Sequence, residues 1–463
     1  MAMEKVIPVW HILSVFLPLP NIPEYGNIDK PKRTSSNIVT VIRFSKTVIT
    51  CVILVTFFVH EAVNLVANRK DWEKYYVNAN KIITLLTLMR CTVTSLKNMS
   101  AVLIFLSHMG RMKAYLSTIN LLLANLNMSR ARRHRHCMVG ILMFMPFVIL
   151  IPACCYFGVT FLNNMAKYHP DKSKVPFGIF RLDIETAFVI TLCGDMFGTI
   201  IAVSIYVLIG TLARILKECC VVLNGRLRRI RKKAEADDAG FTYVTFQQDI
   251  HELRSLYEQI VEAYLQYEHA FSSQIVMGIV GSSLLMFASV SSFFKPNLTK
   301  DWIIAHALAL IITFYAVVTL CFHPIQLHEE SRRIIENLQT VIHSRQMRYL
   351  SKKNPAEKER KEEVDDGSRM EEYFSLFTFL QRTVTTPLVV SAGGFVELTR
   401  AFIISLIAML IGFVLFLLEQ YEGHKPNSQF SCAALLANRT GNTFSQVSIP
   451  EPSAYSNLTA ITI

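Results

Sequence analysis

Residues 401–423 read AFIISLIAMLIGFVLFLLEQYEG and meet no charge until Glu419. As a helix, such a run is long enough to cross a hydrocarbon core of about 30 Å. It then stops on a carboxylate, Gln420 and Tyr421 rather than on the Lys or Arg that usually marks a membrane edge. Six further apolar stretches precede it, near 47–67, 81–108, 137–163, 185–215, 266–294 and 302–323, and the last one spans 398–418. The stretch 81–108 is the least uniform, because Arg90, Lys97 and Asn98 interrupt it. A chain that is 52% hydrophobic and 18% charged carries too much apolar surface for a water-soluble core of this length. The fold class is all-α, a seven-transmembrane helical protein of the plasma membrane.

The formal charge of +12 is a matter of topology, since the basic residues alternate by loop. The side that holds the N-terminus carries 32 Lys and Arg against 12 on the other. Cytoplasmic loops collect these residues, so the N-terminus is expected inside and the C-terminus outside. The clusters RARRHRH (130–136) and RLRRIRKK (226–233) then face anionic lipid and not nucleic acid. Segment 1–46 reads as a polar, proline-scattered cytoplasmic piece without a cleavable signal. Segment 47–323 holds spans 1 to 6, 324–397 a set of cytoplasmic helices, and 419–463 an extracellular tail with glycosylation sequons at Asn438 and Asn457.

Two cytoplasmic stretches keep helical periodicity beyond their spans. Ile250, Leu253, Leu256, Tyr257, Ile260 and Tyr264 form one stripe, and Ile334, Ile335, Leu338, Val341 and Ile342 another. Spans 4, 5 and 6 are therefore expected to continue into a cytoplasmic anchor bundle. SKKNPAEKERKEEVDDGSR (351–369) has almost no apolar content and reads as a disordered loop. An amphipathic helix at 371–384 follows and leads to the final span.

No enzyme signature, cofactor motif or metal-ligand spacing is present, and the ten cysteines fall mostly inside spans. Intramembrane ionisable residues are the lead, because a charge at mid-bilayer costs roughly 2.5–3.5 kcal/mol even on insertion scales and needs a partner. Arg90 and Asp195 lie at similar depth and suit one another. Trp302 and His306 stack at i, i+4, and Tyr156, Glu185, Phe188, Ser291 and Ser292 share that outer half. Aromatic walls with a few hydrogen-bonding groups suit a small organic ligand. Each single aromatic also fits an ordinary membrane interface.

The stretch EEYFSLFTFLQRTVTTPLVVSAGGFVELTRAFIISLIAMLIGFVLFLLEQYEG (371–423) resembles the C-terminal signature of the insect gustatory receptor family. There a phenylalanine-containing helix leads to an Ala-Gly-Phe-like turn, Leu, and a last helix ending Thr-Tyr, five apolar residues, Gln-Phe. Ala392, Gly393, Gly394, Phe395 and Leu398 supply the turn, while Gly412-Phe413 and Glu419-Gln420 stand where Thr-Tyr and Gln-Phe are expected. CFHPIQLHEESRRIIENL (321–338) is similar to the family's helix leaving span 6. These departures and the tail of about forty residues mark a divergent member.

The resemblance implies a tetrameric, ligand-gated, non-selective cation channel, built from four copies or from related subunits and opened by a small-molecule tastant. The four last helices would line the pore, with Ser405, Met409, Gly412, Phe416 and Glu419 on one stripe, Gln420 beside them, Phe416 as constriction and Glu419 ringing the outer mouth. Two rivals stand beside it. One is a receptor-like scaffold that passes no ions. The other is a G-protein-coupled receptor, disfavoured by its opposite polarity and by the absence of Asp-Arg-Tyr after span 3 and Asn-Pro-x-x-Tyr in span 7.

Overall fold

The computed structural model describes residues 8–17, 19, 37–67, 81–126, 130–168, 174–177, 180–235, 243–294, 300–351 and 362–423. The first five helices are α1 (Pro8–Phe16), α2 (Asn37–Ala67), α3 (Lys81–Ser107), α4 (Met109–Asn125) and α5 (Arg130–Tyr168). A β-hairpin, β1 (Lys174–Phe177) with β2 (Phe180–Asp183), leads into α6 (Ile184–Glu235) and α7 (Tyr243–Ser291). Then come α8 (Lys300–Ser351), α9 (Glu362–Thr385), a second small hairpin of β3 (Ser391–Ala392) and β4 (Val396–Glu397), and α10 (Arg400–Gly423). Each apolar stretch expected to span falls on one of these helices to within three residues. Among the described residues, six of them hold an apolar window long enough to cross a membrane.

Helices α6 and α8 have 52 residues each. At 1.5 Å per residue each is about 78 Å long, more than twice the hydrocarbon thickness. They pack along one another and against α7, so α6 forms the centre of the molecule, with 78% of its most apolar window buried. Their approach depends on Gly210, where an added Cβ would lie 2.8 Å from the Thr319 carbonyl oxygen. The obstacle is backbone and cannot step aside. Gly210→Val is expected to destabilise the fold by about 1–3 kcal/mol, read as a lower melting temperature of the purified protein in detergent.

Three local features were not foreseen from the sequence. Segment 1–46 is not uniformly polar in its behaviour: PVWHILSVF folds as α1 and buries Trp10 and Leu13, with Leu17 and Leu19 just beyond it. Phe16 meets Phe197 of α6 edge-on at 5.2 Å, and the Thr50 hydroxyl donates to the Phe16 carbonyl at 3.1 Å. The basic loop after span 2 contains α4, because Met112, Tyr115, Leu116, Ile119 and Leu122 share a buried helical face behind its exposed cations. In 351–369, Ser351 closes α8 and residues 362–369 open α9, while 352–361 lie outside the described residues. Glu362, Glu363 and Asp365 favour a helix start there, since the macrodipole is positive at that end.

Candidate functional site

Five helices converge on one buried polar cluster. Helix α3 contributes Arg90, Ser95, Lys97 and Asn98 across its interrupted apolar run. Arg90 Nη1 stands 2.6 Å from His306 Nε2 on α8. A guanidinium only donates, so that imidazole nitrogen accepts and the ring proton sits on Nδ1. Asp195 of α6 lies in the fields of both Arg90 and Lys97, and Glu61 of α2 lies in the field of Asp195. Asn98 Nδ2 donates to the Thr199 hydroxyl at 3.3 Å.

Small residues make room for these groups. Lys97 is only 6% exposed, and its stem lies across Gly281 of α7, where a Cβ would come within 2.8 Å of Lys97 Cγ. Gly198 does the same for Asn98, at 2.9 Å from Nδ2. Helix α5 presents Cys154, whose thiol donates to the Ala305 carbonyl at 3.4 Å and which lies near Arg90 and Asp195. The cluster holds two cations and two carboxylates within a few helix diameters. A polar molecule entering it would meet both signs of charge and a neutral imidazole.

Of the residues singled out in the sequence, Arg90, Asp195 and His306 come together. Tyr156 does not: it is 66% exposed, turned out from the face of α5 that bears Cys154. Glu185, Phe188 and Trp302 lie at the ends of α6 and α8, and their side chains fall outside the described residues. The hydroxyls of Ser291 and Ser292 both donate to the Ala288 carbonyl at 2.9 Å and are used up within their own helix. Lys97, Glu61 and Cys154 were missed. Glu61 carried a usable signal, an acidic residue within an apolar span.

Helix α10 is built differently from the others. Its mean hydropathy, 3.0, is the highest among the membrane-crossing windows, yet only 11% of that window is buried. Leu406 and Leu417 anchor it, and Phe413 stacks on Phe287 of α7 with centroids 4.6 Å apart. Ser405, Met409, Gly412, Phe416 and Glu419 are all exposed, and Gln420 is half-buried. At the start of the helix Arg400 pairs with Glu329 of α8. Helix α9 shows a similar split: Leu376 and Phe379 are buried, while Met370, Phe374, Phe377 and Val384 form an exposed stripe. The sequons at Asn438 and Asn457 lie outside the described residues.

The segment between α9 and α10 is held by a row of side chains on α7. The hydroxyl of Tyr257 donates to the Thr386 carbonyl at 3.0 Å, and burial pushes its pKa up, so it remains a donor. Further along, Tyr264, Glu268 and Ser272 reach Val389, Ser391 and Gly393.

Comparison with known proteins agrees with this architecture. The chain matches the family model described as 7tm Chemosensory receptor over residues 33–421. No curated protein matches it by sequence. Among solved structures it is similar to the insect olfactory receptor OR5 from Machilis hrabei, with a TM-score of 0.52, 12% identity, and coverage of 90% of this chain and 97% of that one. The same receptor in complex with eugenol gives a TM-score of 0.54 at 13% identity, covering 90% and 98%. Identities this low establish the fold alone. The family model covers most of the chain, and with it the chain belongs to the 7tm chemosensory receptor family, multi-pass membrane proteins whose known members are ligand-gated cation channels.

Proposed function

We propose that the protein is a gustatory-type chemoreceptor, a tetrameric non-selective cation channel opened by a small organic tastant. The observation that carries this is α10, the most apolar helix and among the least covered by its own subunit. A helix whose exposed stripe includes Ser405, Gly412 and Glu419 is poorly suited to acyl chains on that side. Four such stripes facing an axis give a conduit narrowed at Phe416 and ringed by Glu419. The long extensions of α6, α7 and α8 then stand in the cytoplasm, and the exposed phenylalanines of α9 meet a neighbouring subunit, identical or related. The cluster of Arg90, Asp195, Lys97 and His306 borders the ligand site within each subunit.

Eugenol, bound by the structurally similar olfactory receptor, is a suitable first probe. Purified protein in liposomes, challenged with eugenol and a panel of sugars and small aromatics, is expected to pass cation current with at least one of them. Silence across the panel from a properly assembled oligomer would favour the scaffold that passes no ions. A separate expectation concerns assembly. Phe374→Asp together with Phe377→Asp places two charges on the exposed stripe of α9 and should convert the tetramer to monomers, read by light scattering after size exclusion.

A further inference from the structure

Residues 386–399 are the non-helical segment through which any movement of α10 relative to the rest of the subunit must pass. Such a segment carries backbone polar groups that need partners, and α7 supplies partners for five of them from one stripe, Tyr257, Tyr264, Glu268 and Ser272. The Ser391 amide donates to Glu268 Oε1 at 3.3 Å, and the Ser391 hydroxyl donates to the same oxygen. The Tyr264 hydroxyl lies 2.6 Å from the Val389 carbonyl and 2.9 Å from Glu268 Oε2. Ser272 accepts from the Gly393 amide at 2.7 Å and donates to the Ser391 carbonyl at 3.1 Å. From α8, the Ser331 hydroxyl accepts from the Leu388 amide at 3.3 Å.

The turn itself is specified by two glycines in the left-handed region, Gly393 at φ 65° and Gly394 at φ 77°. Gly393 is also crowded, since a Cβ would lie 2.6 Å from Val276 Cγ2 of α7. Elsewhere α10 touches α7 at its far end, through Phe413 on Phe287 and Leu417 beside Val290. The hairpin and this far contact fasten α10 to α7, while Arg400 ties its start to Glu329 of α8, and α7 also carries Gly281 against Lys97 of the polar cluster. At the hairpin, the Ser391 amide and hydroxyl converge on a single carboxylate.

We propose that Glu268 is a positioning residue for gating, whose carboxylate latches Ser391 and holds α10 at rest until α7 moves. This rests on the channel reading above. Hydrogen bonds to a charged acceptor are stronger than neutral ones, and few groups can replace both oxygens of a carboxylate at once. Motion of α7 driven from the cluster around Lys97 would be transmitted to the start of α10 through this contact, alongside the bonds from Tyr264 and Ser272.

The test uses the full-length protein in liposomes without added ligand, as wild type, Glu268→Gln, Ser391→Ala and the double variant. Basal cation conductance is expected to rise about tenfold in each single variant, corresponding to about 1.4 kcal/mol. The double variant should match the singles, because both weaken the same contact, one by removing the charge of the acceptor and the other by removing the hydroxyl donor. Amide exchange across residues 388–398 should quicken in all three. Unchanged basal conductance with faster exchange would reduce Glu268 to a structural tie and overturn the gating role. Additive effects would overturn the shared bond. A wild type that passes no current with any ligand would overturn the channel reading and the gating role together, and the exchange data would still report whether the hairpin had been released.

Discussion

Replacing Asp195 with alanine is expected to cost about 3–5 kcal/mol of folding stability, because it leaves Lys97 and Arg90 facing one another inside the bundle. Both cations lie in the field of that carboxylate, and Lys97 is 6% exposed with its stem wedged over Gly281. Lys97 cannot swing out to water without unpacking α3 from α7. The expected readout is a large drop in melting temperature in detergent and little mature protein at the cell surface. Removing both members of the pair is a different experiment. Lys97→Met with Asp195→Leu substitutes apolar groups of similar volume and should recover most of the stability. If the double variant folds well but no longer responds to any ligand the wild type recognises, the pair belongs to recognition; if the response persists, it is structural.

The second large effect is expected at the other end of the account. Glu419→Gln should lower the cation-to-anion permeability ratio at least about tenfold, measured as a shift in reversal potential under a potassium chloride gradient. A carboxylate about 6 Å from a permeating cation contributes on the order of 3 kcal/mol at an effective dielectric near 20, before screening. Salt reduces this, since the Debye length is about 8 Å at physiological strength, but in the proposed tetramer four copies would act on the same ion. Glu419 is exposed and lies close to the C-terminal end of α10, where the macrodipole disfavours a negative charge. A carboxylate held at that position suits a task outside the helix itself. An unchanged permeability ratio would count against the pore mouth.

Much of the architecture was legible because membranes impose simple lengths. The apolar windows of α6, α7, α8 and α10 and the periodic stripes beyond them lead directly to long helices. What the sequence hid was local apolar structure inside polar surroundings. PVWHILSVF is short and flanked by Glu4, Lys5, Pro18 and Pro20, and α4 was obscured because Arg111 and Lys113 were read for topology while the stripe behind them went uncounted. The candidate site was legible only where a charge had no business in lipid. Arg90 and Asp195 stand out for that reason, and Lys97 was visible as a charge but not as a partner. Its place depends on Gly281, far away in sequence and brought close only by the α3–α7 packing. Tyr156 failed for a simpler reason: two residues along a helix rotate a side chain by about 200°, and Cys154 holds the inward position. The Glu268 latch had little signal, because Glu268 stands at the very start of the stretch 266–294 and reads there as an ordinary edge charge.

Everything functional in this account depends on where the exposed side of α10 faces. A reconstruction of the full-length protein in lipid nanodiscs tests it most directly. Four subunits around a central axis, with Ser405, Met409, Gly412, Phe416 and Glu419 lining a water-filled path, is the predicted result. Single subunits, or an assembly in which that row of residues lies against acyl chains, would contradict it.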